Sequence, residues 1–101
     1  MPIRSVLSTD GQVLTIAIQG RFDYTADKGF HAAFENKQIH PARFVVDLRE
    51  SEYLDSYALS MLLDLRFHAG GDHANVRIVN CSTEAKKMFQ RSQLDKLFTV
   101  E

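Results

Sequence analysis

Residues 44–71, FVVDLRESEYLDSYALSMLLDLRFHAGG, join an apolar run typical of a β-strand to a periodic run typical of an α-helix. The first run, Phe44 to Leu48, is short and mostly apolar, as expected of a parallel strand covered on both faces. The second run, Ser56 to Ala69, places four side chains at the helical spacing i, i+3, i+4 and i+7: Leu59, Leu62, Leu63 and Arg66. Gly70-Gly71 then ends the helix. A buried strand followed by a helix predicts one unit of an α/β fold.

Upstream of this unit, the sequence predicts an antiparallel hairpin and a first helix. Val13 to Ile18 alternates between two faces with a period of two, and Ile3 to Ser8 is a weaker strand. Between them, Asp10-Gly11 supplies the positive φ angles that a tight two-residue turn needs. From Tyr24 to about Lys37 the apolar residues follow helical spacing, and Gly29 weakens that helix. Its predicted apolar face consists of Ala26, Phe30, Ala33 and Phe34.

Downstream, Val76 to Asn80 is a further strand, Ser82 caps a third helix, and Leu97 to Val100 adds a last short strand. Helices that alternate with strands require crossovers onto one mostly parallel sheet. We therefore predict an α/β fold: a mixed sheet of four to five strands that opens with an antiparallel hairpin, with helices packed against it. Residues 1–101 are predicted to form a single domain.

Composition narrows the class of function. The chain has 12 Lys plus Arg against 13 Asp plus Glu, a formal net charge of −1, which gives no broad attraction to nucleic acid or to an acidic membrane. Cys81 is the only cysteine, so an internal disulfide is impossible and a reducing, cytoplasmic location is expected. The N-terminal residues lack the apolar core of a secretory signal. The most apolar stretch, Tyr57 to Leu65, is too short to cross a bilayer.

Several kinds of chemistry are disfavoured by spacing. No glycine-rich phosphate loop precedes a helix, and His31, His40, His68 and His73 lack metal-ligand spacing, so we expect no metal or cofactor. Asp47 ends a strand as a phospho-accepting aspartate would, but no acidic pair accompanies it to bind Mg²⁺. We expect Asp47 to accept backbone hydrogen bonds instead.

The segment that leads into the second helix is the candidate site. Asp55 and Ser56 stand at the helix N-terminus, where α/β folds present functional groups. From spacing alone, either residue could simply be an N-cap, worth about 1 kcal/mol. A hydrolase serine is an alternative for Ser56, but the Gly-x-Ser-x-Gly elbow is absent.

Three segments resemble the signature of the STAS-domain anti-sigma factor antagonist (anti-anti-sigma factor) family. They are Phe44 to Leu48, the following Leu54-Asp55-Ser56-Tyr57-Ala58-Leu59, and the turn Gly20-Arg21-Phe22-Asp23. Val76 to Asn80, with the helix after it, matches the family's later strand and helix, so the resemblance covers nearly the whole chain. It implies a bacterial phosphoprotein that controls transcription by partner switching.

The resemblance also implies a site. Ser56 matches the family's phosphorylated serine: unphosphorylated, the protein would bind an anti-sigma factor, and phosphorylated, it would release it. The kinase, often the anti-sigma factor itself, and the serine phosphatase would be separate proteins, so the chain would not be an enzyme. The chain departs from the family's commonest pattern, Asp-Ser-Ser/Thr-Gly-Leu, at Tyr57 and Ala58, and Tyr57, bulkier than the usual small residue, could anchor a particular partner. The expected partner-binding residues are Asp23, Tyr24, Tyr53, Asp55, Ser56 and Tyr57.

Two other functions remain open on the sequence. One is a STAS module that senses a nucleotide or another small molecule, and the other is a small serine hydrolase that uses Ser56. No direct contact with nucleic acid or a membrane is expected in the preferred interpretation.

Overall fold

A computed structural model describes residues 3–101. One five-stranded sheet has the order β1-β2-β3-β4-β5, in which β1 and β2 are antiparallel and the later neighbours are parallel. The strands are β1 (Ile3–Leu7), β2 (Val13–Phe22), β3 (Arg43–Leu54), β4 (Val76–Val79) and β5 (Thr99–Val100), and the α-helices are α1 (Asp27–Phe34), α2 (Ser56–His68) and α3 (Thr83–Arg91). Short 3₁₀ turns are Tyr24–Ala26, Gly71–His73 and Leu94–Lys96. The predicted fold class is confirmed.

The helices cover one face of the sheet. Each parallel crossover moves one strand along in the same direction, and right-handed crossovers of that kind place their helices on a common face. Burial in β3 follows this rule, because Phe44, Val46 and Leu48 are buried whereas Val45 and Asp47, which alternate with them, are half-buried. The expectation that β3 is covered on both faces is therefore wrong.

Aromatic side chains fill the space between α1 and the sheet. Phe22 and Phe30 are fully buried, with ring centroids 5.3 Å apart, and Phe34 lies 5.6 Å from Phe30. A Cβ at Gly29 would lie only 3.1 Å from Ile3 Cγ1. Gly29, expected only to weaken α1, thus lets the helix approach β1 closely.

The hairpin turn differs from its prediction. The chain between Ser8 and Val13 is a four-residue loop, and within it only Gly11 has a positive φ, of 73°. The Asp10 carboxylate accepts hydrogen bonds from the Ser8 hydroxyl (2.6 Å) and the backbone N–H of Gln12 (3.0 Å). Asp10 therefore stabilises the loop through its side chain, whereas a two-residue turn of type I′ would require positive φ at both central residues.

Two helices also differ from their predictions. Helix α1 ends at Phe34 and not near Lys37, because the Asn36 side chain accepts a hydrogen bond from the backbone N–H of Gln38 (2.9 Å) and turns the chain. Helix α2 has the predicted position, but Leu63 is exposed. Its buried residues are Ala58, Met61, Leu62 and Leu65.

Within residues 3–101, no helix combines the length and apolar character needed to span a bilayer. The same residues contain no group of three or more His, Cys, Asp or Glu side chains arranged to hold a metal ion.

Candidate functional site

Strand β3 brings the candidate segment to the edge of the sheet where the parallel strands end. The sequence predicted a strand only over Phe44 to Leu48, but residues 50–54 continue β3 and pair with the end of β2. The register slips twice, between the pairs Ala17–Asp47 and Gln19–Glu50 and again before Arg21–Tyr53. At each slip β3 holds one residue more than β2, which is the geometry of a β-bulge.

Asp55 caps α2 and leaves Ser56 free. Its Oδ1 accepts the backbone N–H groups of Tyr57 (3.0 Å) and Ala58 (3.2 Å), and its backbone is extended. Ser56 is therefore the first helical residue, and its side chain is exposed. Of the two possible N-caps, the structure selects Asp55. The Ser56 hydroxyl has no capping role to lose on modification.

Asp23 lies inside the turn that follows β2. Its Oδ1 accepts the backbone N–H and hydroxyl of Thr25, and its Oδ2 accepts Arg21 Nε at 2.9 Å. These hydrogen bonds, that of the Thr25 hydroxyl foremost, lower the pKa of Asp23. The Asp23 side chain is only 6% exposed. Its carboxylate holds the turn that presents Tyr24 and does not face solvent.

Three tyrosines are exposed at or near this edge. Tyr24 is 70% exposed, and Tyr53 and Tyr57 each retain somewhat under half of their surface. The Arg21 guanidinium lies over the Tyr53 ring, with Cζ 4.2 Å from the ring centroid. The Asp27 carboxylate, chiefly through its charge, raises the pKa of the Tyr57 hydroxyl, so these two groups are neighbours.

His31 links α1 to α2, a role that the spacing of the histidines in the sequence does not indicate. Its Nε2 lies 2.9 Å from Asp64 Oδ2, and its Nδ1 lies 2.9 Å from the Asp27 backbone oxygen and 3.2 Å from Asp27 Oδ1. Burial alone would lower the pKa of His31, but the hydrogen bonds to Asp27 and Asp64 outweigh it and raise the pKa. The Asp27–His31 spacing of i, i+4 was visible in the sequence; Asp64 comes from another helix.

We expect this link to make stability depend on pH. A raised pKa means that folded His31 holds its proton more tightly than unfolded His31, so its stabilising effect is complete below about pH 6.5 and is lost as the pH rises through the folded-state pKa. Urea unfolding at pH 6 and pH 9 should show His31→Gln less stable than wild type at pH 6, with a smaller difference at pH 9. His40→Gln, at an exposed loop position, is the control. An equal loss at both pH values would contradict the prediction.

Asp47 has the structural role that its position predicted. Its Oδ1 accepts the Arg49 amide and the Asn80 side-chain amide, both at 2.9 Å. Asn80 has a positive φ of 58° just after β4. Asp47 thereby ties the bulged part of β3 to the turn before α3.

A cavity of about 340 Å³ lies between the end of β3 and the start of α3. Its charged lining residues are Glu52 and Glu84, and none of the residues that line it in the described chain is Lys or Arg. The complete lining is Ser51, Glu52, Tyr53, Leu54, Ser82, Glu84, Ala85 and Met88. Two carboxylates without a cation disfavour a phosphate-bearing ligand.

Comparisons of sequence identify relatives over nearly the whole chain. The family model described as "Mlab, STAS domain" matches residues 5–100. A STAS-domain containing protein of Pseudomonas aeruginosa (strain UCBPP-PA14) is 51% identical over 100 residues, which cover 99% of each chain.

Comparisons of structure agree. The anti-sigma factor antagonist SpoIIAA in its unphosphorylated form superposes with a TM-score of 0.79 at 17% identity, covering 98% of this chain and 87% of that one. The Bacillus cell fate determinant SpoIIAA in the phosphorylated form gives 0.75, also at 17% identity, with 98% and 90% covered. At this identity the likeness concerns the fold alone. The STAS domain of an antisigma-factor antagonist from Rhodobacter sphaeroides is 30% identical, with a TM-score of 0.57 and coverage of 76% and 83%.

Proposed function

We propose that this chain, which belongs to the STAS domain family, is an anti-sigma factor antagonist controlled by phosphorylation of Ser56. With the Ser56 hydroxyl free, it binds an anti-sigma factor and so permits transcription. With Ser56 phosphorylated, it releases that partner. The proposal treats residues 1–101 as one binding domain in the cytoplasm of a bacterium, with no direct contact to nucleic acid or a membrane.

The exposure of Ser56 carries the proposal. Its hydroxyl lies at the first position of α2, whereas Asp55 provides the cap, so a kinase can reach the hydroxyl without undoing the helix start. The hydroxyls of the neighbouring serines already donate hydrogen bonds to backbone oxygens. The Ser60 hydroxyl donates to the Tyr57 backbone oxygen at 2.7 Å, and half-buried Ser51 lies in β3 with its hydroxyl 3.4 Å from the Gly20 backbone oxygen.

A phosphate at Ser56 is compatible with the fold. It adds roughly −1.5 to −2 charge at neutral pH, and a helix N-terminus favours negative charge. At a partner's surface the same charge, beside Asp55, would be desolvated or repelled. Modification should thus weaken binding without unfolding the chain.

The exposed tyrosines supply the contact surface around Ser56. Tyr24, Tyr53 and Tyr57 are amphipathic side chains of the kind enriched at interfaces. Asp23 and Asp55 support this surface by fixing the turn before α1 and the start of α2. We assign the contacts to the three tyrosines and Ser56, and a positioning role to the two aspartates.

Structural relatives that are anti-sigma factor antagonists support the proposal. SpoIIAA is an anti-sigma factor antagonist with both unphosphorylated and phosphorylated forms, and the Rhodobacter sphaeroides STAS domain is also an antisigma-factor antagonist. A serine kinase, often the anti-sigma factor itself, and a serine phosphatase would act on this chain, which would itself be no enzyme. The hydrolase alternative is weaker because His31 bonds to Asp27 and Asp64 and not to Ser56. The nucleotide alternative is weaker because Glu52 and Glu84 line the cavity near the site.

Partner capture from the source cell tests the proposal. Ser56→Ala, which cannot be phosphorylated, should retain an anti-sigma factor through washing and yield it to mass spectrometry. Ser92→Ala, at the far end of α3, is the matched control and should capture the partner only to the extent that its own Ser56 is unphosphorylated. Absence of any sigma-factor regulator from the Ser56→Ala eluate would contradict the proposed function.

A further inference from the structure

We propose that the Arg21 guanidinium binds the phosphate when Ser56 is phosphorylated, and so is the group through which the fold responds to the modification. This inference rests on the proposed function and concerns the regulation of the same site. The juxtaposition that carries it is an exposed, pre-oriented arginine at the end of β2 beside the strand that leads into Ser56.

The strand register places Arg21 next to the site. Arg21 pairs with Tyr53, and Phe22 pairs with Leu54, in the parallel pairing of β2 with β3. Leu54 is the last residue of β3, and Ser56 begins α2 two residues later. Since parallel strands end at the same edge of the sheet, Arg21 and Ser56 both lie at that edge.

Two contacts orient the guanidinium. Its Nε donates to Asp23 Oδ2 at 2.9 Å, and its Cζ lies over the Tyr53 ring, 4.2 Å from the centroid. Asp23 is itself fixed by Thr25. Such bracing reduces the side-chain entropy that a free arginine would lose when it binds an anion.

The outer part of the guanidinium is unused. The Arg21 side chain is 63% exposed, and within residues 3–101 its two Nη groups make no hydrogen bond. The two Nη groups form the fork that suits bidentate contact with phosphate oxygens. Arg21 therefore has donors free for a ligand while Nε holds the side chain in place.

The electrostatic environment of Arg21 also supports the proposal. The pKa of Arg21 is raised chiefly by the hydrogen bond to Asp23 and in smaller part by the charge of Asp55, so Asp55 lies within electrostatic reach of the guanidinium. Asp55 Oδ1 is occupied by the N–H groups of Tyr57 and Ala58. A phosphate on the next residue would bring nearly twice the charge of Asp55 and three acceptor oxygens.

A titration of the phosphate tests this directly. Phosphoserine is incorporated at position 56 during translation, and ³¹P NMR follows its second ionisation, which ordinarily has a pKa of about 6. Contact with a cation favours the dianion, so Arg21→Gln should raise the phosphate pKa by about 0.5 to 1 unit relative to the otherwise unchanged phosphoprotein. Arg43→Gln removes the same charge at the opposite end of β3 and should leave the pKa unchanged.

A second measurement does not depend on any variant. With the guanidinium labelled with ¹⁵N, the Arg21 Nη resonances of the phosphoprotein should shift with the same apparent pKa as the phosphate. Equal phosphate pKa values in Arg21→Gln and Arg43→Gln would overturn the inference. If Arg21→Gln does not fold, Nη resonances that ignore the phosphate titration would overturn it instead. Neither result depends on a partner, so failure here is distinguishable from failure of the Ser56→Ala capture.

Discussion

Ser56→Glu should lower the affinity for the captured anti-sigma factor ten-fold or more while leaving the melting temperature close to that of wild type. The glutamate places one negative charge in the first turn of α2, where the helix dipole favours it and Asp55 still caps the backbone. At the interface the same charge has to lose its water. A ten-fold loss corresponds to about 1.4 kcal/mol, which is modest for a desolvated charge.

Calorimetric titration and thermal melts of three variants separate binding from folding. Ser56→Ala should bind like unphosphorylated wild type, and its stability should change little, because Asp55 and not Ser56 is the cap. Ser60→Glu places the same charge one turn further along α2 and is the matched control for position. Affinity loss accompanied by an equal fall in melting temperature would make Ser56 a structural residue. Unchanged affinity in Ser56→Glu would place position 56 outside the interface.

Local patterns predicted the order of elements because most of them have regular periodicity. Alternation in β2 reports its buried face directly. The helical spacing in α2 predicted the position of the helix but not its buried face, since Leu62 is the only one of the four residues at that spacing that is buried. Periodicity did not predict that residues 50–54 belong to β3. The two register slips break the alternation of β3 and leave charged residues such as Glu50 and Glu52 in a strand. A bulge is set by pairing with β2, which spacing within β3 alone does not show.

The residues of the candidate site also differ in how far the local sequence predicts their roles. Ser56 and Asp55 were found because a helix start has a local signature and because the segment resembles a known family. The roles of Arg21 and His31 depend on partners far away in the chain: Arg21 lies over Tyr53, and His31 bonds to Asp64. Asp23, expected at the contact surface, is buried because its carboxylate satisfies Thr25 and Arg21. Only the fold brings these groups together.

Phe30 on α1 and Phe67 on α2 are the same type of residue in opposite environments, one buried and one exposed. Phe30 has no exposed surface, and its ring packs against those of Phe22 and Phe34. Phe67 on α2 is 85% exposed. Because α1 carries His31 and follows the Tyr24 turn, the packing of Phe30 also fixes elements that support the proposed contact surface.

Phe30→Ala should therefore destabilise the protein by about 3 to 5 kcal/mol, the range for truncating a buried phenylalanine. That is a large part of the roughly 5 to 15 kcal/mol that separates folded from unfolded small proteins. Phe67→Ala makes the same chemical change on the surface and should alter stability by no more than about 0.5 kcal/mol. Urea unfolding of both variants, with the slope compared to wild type, gives the two values. A comparable loss in both would mean that Phe67 is packed in solution, and a small loss in Phe30→Ala would mean that α1 is not held against the sheet by this side chain.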